Sequence, residues 1–563
     1  MNSLFIRLIL ISALFPALYS CAQPLNNKKK FTRQDTLRGS IGPGRDWWDV
    51  MYYNLSSSVD YANKEITGTN QITFNVVKAG KNKTLQLDLQ SPMEIDKILY
   101  GPALKNEAKF IREGNVYWVT FGENEFPVNK TGKKNYESIL VYFHGKPREA
   151  VRPPWDGGWL WGKDAKGRPW MTVACQGLGA SVWYPCKDHQ SDEPDEGAVI
   201  SVEVPDTLIA IANGVLIPPA VEKSGQKKVY SWMVKNPINS YNLVPYIGKY
   251  VNWQQVYKGE KDSLYLDYWV LDYNLEKSRK QFGRDVKRML GAFEFWFGPY
   301  PFYEDGYKLV EPSHLGMEHQ SAIAYGNYYL DGYLGMDLSG SGWGKKWDYI
   351  IIHESGHEWF ANNITTNDIA DMWVHEGFTM YSEVLFTEYH YGKQAADEYL
   401  QGIRQKINND KPLIGPYGVN KEGSGDMYNK GASLLHTLRQ VINDDTVFRK
   451  IMRGLNKDFY HKTIGSKQVE EYFSRHSGKD LSKIFDQYLR TTKIPELEYK
   501  LDGRRLSCRW ANCVEGFDMP LSIGTGKFFW IFPTTEWTEA ELPLNYEINS
   551  LNKNFYITTK TAQ

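Results

Sequence analysis

The feature that most constrains this chain is the pentapeptide His353-Glu354-Ser355-Gly356-His357. An apolar run, Tyr349 to Ile352, precedes it, and Trp359-Phe360 follows. In a helix, residues four apart lie one above the other on one face. His353 and His357 then aim at a common point, a spacing that suits two imidazole bonds of about 2.0–2.1 Å to one zinc ion. Glu354 is rotated about 100° around the helix from His353. It cannot readily ligate the same ion, but it can reach a water bound to it. Two imidazoles leave a catalytic zinc one protein ligand short. Glu376 stands nineteen positions after His357, in Trp373-Val374-His375-Glu376-Gly377-Phe378-Thr379. A second helix returning antiparallel would deliver that carboxylate. Gly356 costs roughly 1 kcal/mol inside a helix, which makes sense if another element packs closely at that turn. Of the chain's 11 His, five (His314, His319, His353, His357 and His375) fall in this window. The alternative is two surface histidines on a polar helix face.

The flanking sequence predicts the scaffold. From 46 to 251 the pattern is strand-like: Leu85, Leu87 and Leu89 alternate with polar residues, as do Ile200, Val202 and Val204. This reads as a large antiparallel β domain. From 252 to 494, strand-like segments at 264–270 and 307–310 frame helical stretches at 276–297, 347–362, 373–391, 395–408, 431–442, 468–473 and 481–489. From 495 to 563 short β-type runs return. The expected architecture is multidomain α+β, and 563 residues accommodate about three or four domains of ordinary size. The absence of internal repeats argues against a solenoid or propeller.

Composition removes several classes. Lys+Arg and Asp+Glu both total 66, so no basic excess exists to hold nucleic acid. Aromatics make up 14%, which excludes a disordered or coiled-coil chain. A mean hydropathy of -0.50 argues against a polytopic membrane protein.

Residues 1–20 read as an export signal: Arg7 supplies the positive end, and the apolar run Leu8 to Leu18 is shorter than the roughly 20 residues that span a bilayer. The run ends in Leu18-Tyr19-Ser20-Cys21, which resembles a bacterial lipobox. This predicts a lipid on Cys21, followed by a polar tether over 21–45 that contains Lys28-Lys29-Lys30 and Gly42-Pro43-Gly44. The expected location is exported, held at a bacterial membrane and facing the periplasm or cell surface. Ordinary cleavage a few residues further on, with Cys21 incidental, is the alternative. An oxidising compartment permits disulfides. Cys508 with Cys513, and Cys175 with Cys186, are the candidate pairs, against buried free thiols. Trp155, Trp159, Trp161 and Trp170 are expected in packing rather than as a sugar platform.

His353-Glu354-x-x-His357 followed by Glu376 is similar to the zinc aminopeptidase family of aminopeptidase N and leukotriene hydrolase (gluzincin metallopeptidases). Asp46-Trp47-Trp48-Asp49-Val50, Trp183-Tyr184-Pro185-Cys186 with Asp188, Phe297-Gly298-Pro299-Tyr300-Pro301-Phe302 and Tyr428-Asn429-Lys430-Gly431 resemble that family's features in the same order. Leu315-Gly316-Met317-Glu318-His319 resembles its amine-binding motif, with Leu315 and His319 departing from it. The resemblance covers nearly the whole chain after the signal. It implies a thermolysin-like catalytic domain behind the β domain and a small C-terminal β-sandwich-like domain. It also implies one zinc per chain on His353, His357 and Glu376, with Glu354 as general base and Tyr428 stabilising the oxyanion. Glu318 and Gln176 are implied to bind the substrate's amine, with Gly316 and Met317 beside the peptide backbone. The expected partners are peptides with a free N-terminus. The chain is expected to be a zinc aminopeptidase. A zinc endopeptidase, an epoxide hydrolase of related fold and an inactive lipid-anchored peptide-binding protein are the competing readings.

Overall fold

The computed structural model describes residues 30–562, apart from 82, 123–124, 127–133, 219–221, 525–527, 545–547 and 549–550. The export signal and Cys21 lie outside the described residues.

Alternating burial builds the first half. Trp48–Asp60 buries Trp48 and Val50, then, after a register shift between Val50 and Tyr52, Tyr53, Leu55, Ser57 and Val59, each run keeping the period of two of a half-covered strand. It pairs antiparallel with Glu65–Val76, which pairs with Tyr136–Gly145 and then Glu94–Tyr100. On its other side Trp48–Asp60 runs parallel to Ala198–Pro205. The domain is therefore not purely antiparallel, which corrects the expectation. The two strands are far apart in sequence, and parallel pairing needs such a long crossover. Periodicity reads the face of a strand but not its direction.

Residues 32–45 do not form a free tether. Thr32 caps a short helix, α1 (Arg33–Gly39), in a capping box with Asp35, and Leu37 is buried. Arg45 is 0% exposed. Its Nη2 donates to Asp88 Oδ2 at 2.6 Å, and its Nη1 donates to the carbonyls of Arg38 and Ser40 at 3.1 and 3.0 Å. The guanidinium fork ties the segment to the β domain.

The second half opens with a five-stranded sheet in the order Tyr250–Lys258, Ser263–Leu271, Tyr307–Val310, Ile323–Tyr325, Gly316–Met317. Helices follow: α2 (Leu275–Phe297), α3 (Tyr349–Gly356), α4 (Trp373–Tyr391), α5 (Lys393–Arg404), α6 (Asn429–Ile442), α7 (Asp445–Asp458), α8 (Ser466–Ser477) and α9 (Ser482–Arg490). Two hydrophobic cores result, and the sheet divides them. Tyr307, Leu309, Ile323 and Tyr325 pack with the helices. Val310, Met317, Ala322 and Ala324 pack with the β domain. One strand thus touches both halves through its alternate residues. The C-terminal residues form a four-stranded sheet and a two-stranded one. Their buried side chains, including Leu497, Leu506 and Trp510, join the helical core.

Cys175, Cys186, Cys508 and Cys513 are free thiols, so neither candidate disulfide is formed. Among the described residues, no helix is long and apolar enough to cross a membrane.

Arg45→Ala removes the cation but leaves Asp88 buried. Breaking such a pair typically costs about 3–5 kcal/mol. The expected outcome is a loss of that size in denaturant unfolding of the purified protein. A change below about 0.5 kcal/mol, the range of an ordinary surface substitution, would mean that the segment is only loosely held.

Candidate active site

Asp348 starts α3. Its carboxylate accepts from the backbone of Ile350 and Ile351 at 3.1 and 3.4 Å, which satisfies donors that a helix start leaves unpaired. It also accepts from Gln281, Asn327 and the Tyr325 hydroxyl at 2.9, 2.8 and 2.7 Å. The helix is thereby fixed to the sheet one turn before His353. At its far end, a Cβ on Gly356 would stand 2.6 Å from Ser382 Oγ on α4. Only glycine lets the two helices approach this closely. Likewise a Cβ on Gly431 would stand 2.7 Å from the Gly377 Cα, so α6 crosses α4 one residue after Glu376. Tyr428 sits just before α6, its ring stacked 5.9 Å from that of His353.

These approaches bring His353, His357 and Glu376 together. Each offers a donor atom within 4.8 Å of the others. Glu376 Oε2 lies 3.6 Å from His353 Nε2 and 3.4 Å from His357 Nε2. A tetrahedral ion with arms near 2.1 Å has edges of about 3.4 Å. Glu376 Oε2 is buried without a hydrogen-bond partner, an orphaned acceptor of the kind a bound cation explains. The donor set, two imidazoles and one carboxylate, is that of a catalytic zinc site. The residues fit the metal.

The remote nitrogens are also held. His353 Nδ1 lies 2.7 Å from Glu383 Oε1, and the Tyr399 hydroxyl donates to the other oxygen of Glu383 at 2.5 Å. His357 Nδ1 lies 3.1 Å from both the Phe360 carbonyl and Thr379 Oγ1. Such partners fix the tautomer that turns Nε2 toward a metal. Glu383 and Tyr399 were not foreseen. Glu383 is seven residues beyond Glu376 on α4, two turns on the same face, and that spacing was the available signal.

Glu318 lies 3% exposed, just past the edge strand Gly316–Met317. Its Oε1 accepts from Gln176 Nε2 and, at 2.8 Å, from the Tyr241 hydroxyl. Tyr241 is a further residue that sequence alone did not single out. Asn362 Nδ2 donates to the Glu318 carbonyl at 2.8 Å. Gln176, Gly316, Met317, Glu318, His353, Glu354, His357, Glu376 and Tyr428 all line one cavity of about 80 Å³. Trp155 lines it too, in contrast to the expectation that it serves only in packing. A Cβ on Gly316 would stand 2.5 Å from Glu354 Oε1, so glycine there makes room for that carboxylate.

Burial pushes the Glu354 carboxyl up to about 7, and it also raises Glu318. Burial likewise acts to raise Glu376, but His357 and then His353 outweigh it and hold that carboxyl well below the usual range. Of the five clustered histidines, only His353 and His357 meet at this centre. His375 is buried and pushed down to about 3 by desolvation, and its Nε2 accepts from the Thr366 backbone at 3.0 Å. His314 and His319 pack edge to face, with ring centres 6.4 Å apart.

Glu383→Gln keeps the shape of the side chain but weakens its hold on His353. Outer partners of this kind typically contribute about 10–100-fold in metal affinity. Competition with a chromogenic chelator is expected to show a loss in that range, with the far-ultraviolet circular dichroism unchanged.

Residues 286–488 match the family described as "Peptidase family M1 domain". Mouse aminopeptidase B is 24% identical over 360 residues, covering 59% of this chain and 51% of that protein. Leukotriene A-4 hydrolase of Xenopus laevis is 23% identical over 367 residues, covering 61% and 57%. The chain therefore matches only about half the length of these curated relatives. Among solved structures, a mutant M1 zinc metallopeptidase from Deinococcus radiodurans bound to a Tyr-Ser-Ala substrate superposes with a TM-score of 0.67. The identity is 19%, with 82% of this chain and 98% of that one covered. Yeast LTA4 hydrolase superposes with a TM-score of 0.63 at 16% identity, covering 79% and 68%. Residues 286–488 are thus similar to the peptidase family M1 domain, and the fold is that of the M1 zinc metallopeptidases.

Proposed function

We propose that this protein is a zinc-dependent aminopeptidase, with one zinc per chain held by His353, His357 and Glu376. The observation that carries the reading is the placement of Glu318. A buried carboxylate, steadied by Gln176 and Tyr241, lines the same small cavity as the metal donors and Glu354. Charge-assisted hydrogen bonds are roughly twice as strong as neutral ones, and an ammonium at the start of a peptide supplies the matching charge. With the amine fixed there, the first peptide bond is the one within reach of Glu354, which favours an exopeptidase over an endopeptidase.

Zinc bound there would polarise the scissile carbonyl and acidify the attacking water. The chain's own groups do the rest. Glu354, raised by burial to about 7, accepts the water's proton and passes it to the leaving amine; a base works best with a pKa near the working pH. Tyr428, whose phenol burial holds in its protonated form, donates to the carbonyl oxygen as it gains charge. Gly316 and Met317 form an edge strand along which an extended peptide can pair. Trp155, Tyr333 and Tyr349 supply an aromatic wall to the cavity.

A panel of unblocked aminoacyl amides, run with and without a chelator, tests this. Free amines are expected to be cleaved only with metal present, and their Nα-acetylated counterparts not at all. Equal cleavage of both would sink the exopeptidase reading. Glu354→Ala is expected to keep zinc while losing about 10²–10⁴-fold in kcat, and His357→Ala to lose the metal. Glu318→Ala is expected to raise KM for free-amine substrates steeply.

We also propose that the protein is exported and held at a bacterial membrane, facing the periplasm or cell surface, by a lipid on Cys21. The sequence Leu18-Tyr19-Ser20-Cys21 supports this. Cys21→Ala is expected to move the protein from the membrane fraction to the soluble one; an unchanged distribution would remove the anchor.

A further inference from the structure

Three segments of chain meet behind Gln176, outside the catalytic cavity. The first is the turn that carries Gln176. Leu178 N donates to the Gln176 carbonyl at 2.8 Å, and Gly179 N donates to the Cys175 carbonyl at 2.7 Å. The second is the loop ahead of Tyr428. Asn420 Nδ2 donates to the Gly177 carbonyl at 2.9 Å, across 243 positions of sequence. This loop is itself fastened to the helical half. Gly415 N donates to the Ala370 carbonyl at 2.9 Å, the Tyr417 hydroxyl to Asp371 Oδ1 at 2.7 Å, and Gly418 N to Asp368 Oδ2 at 2.7 Å. Those acceptors stand just before α4, the helix that carries Glu376. The third segment is the end of α1. Arg38 pairs with Asp188 at 3.0 Å. A Cβ on Gly39 would collide with the backbone of Val419 and Asn420, and a Cβ on Gly179 would collide with Arg38. The backbone at Gly39 is outside the left-handed region, so that glycine supplies space and not conformational freedom.

We propose that Asn420 is a positioning residue for amine recognition. Together with the end of α1 it holds the turn at Gly177, and through that turn it sets the Gln176 amide that donates to Glu318. The contacts run without a break from the start of α4, which bears a metal donor, to the carboxylate that would anchor a peptide's ammonium. Asn420 thereby fixes the spacing between the two, and that spacing decides how a first residue is seated. Neither Gly39 nor Asn420 lines the catalytic cavity, so both act through Gln176 and not on a substrate. Asn420 has a left-handed backbone, with φ 49°. Asparagine enters that region more readily than most residues with a side chain, so the position uses both its backbone tolerance and its amide. The proposal rests on the roles given above to Glu318 and Gln176 at the peptide amine.

Steady-state kinetics separate binding from turnover. Asn420→Gly keeps the left-handed backbone accessible and removes only the amide. Apparent KM for a free aminoacyl amide is expected to rise about threefold to tenfold, the effect of one hydrogen bond, with kcat and zinc content unchanged. A rise in KM alone marks lost binding and not lost transition-state stabilisation. Gly39→Ala is expected to act in the same direction by displacing Asn420. The double variant is expected to fall short of the product of the single effects, because both changes act on one contact. Hydrogen exchange of the full-length protein, followed by mass spectrometry, is expected to quicken in Asn420→Gly at residues 175–179 and to stay unchanged in α3 and α4. An unchanged KM overturns the proposal. So does a kcat that falls as KM rises, or exchange that quickens through α3 and α4, since either marks a general loosening. If exchange quickens at the turn alone but the wild type cleaves no aminoacyl amide, the peptidase reading fails while the hold of Asn420 on the turn stands.

Discussion

Three carboxylates crowded into one buried cleft are the constraint on which the helical half depends. Taken from water, each would prefer to bind a proton. The fold answers each differently. Glu376 lies against two imidazoles and stays charged. Glu318 is given a hydroxyl and an amide donor. Glu354 is given no protein donor and is raised to about 7. The same desolvation that destabilises these charges also strengthens any cation bound among them. This group of side chains is costly to the empty protein and valuable to the loaded one.

Holding them in place is a matter of helix spacing. Gly356 and Gly431 occur where a side chain would push α4 away from α3 or α6. Because α4 carries both Glu376 and Glu383, one helix supplies a donor to the metal set and a brace for His353. The buried Asp348, with five donors around it, fixes the start of α3 just as firmly. The precision of the centre comes from regular elements and not from loops, which suits a site that must keep its geometry within tenths of an ångström.

Much of this was legible from local spacing. Four residues place His353 and His357 on one face, and chain order with a family likeness pointed to Glu376, Glu318, Gln176 and Tyr428. What local pattern cannot carry is the identity of partners that arrive from elsewhere. Tyr241 approaches Glu318 across 77 positions, and nothing in its surroundings marks it. Trp48–Asp60 and Ala198–Pro205 show the alternation of strands, but alternation is blind to direction. The helix α7 went unread because its charged residues, Arg449, Lys450, Arg453 and Lys457, hide the apolar stripe of Phe448, Ile451, Met452 and Leu455. The segment over 32–45 looked like linker by composition, although Arg45 and Leu37 are buried and Arg38 pairs with Asp188 to dock it.

The division of the sheet between two cores reaches beyond stability. His353 and Glu376 lie on α3 and α4 and His357 caps the end of α3, all in one half, whereas Gln176 and Tyr241, which orient Glu318, come from the other. On the proposed reading, hydrolytic power and the ability to recognise a chain's first residue are thus built by separate halves of the molecule, and discrimination between ends and middles of chains is a property of the docked pair.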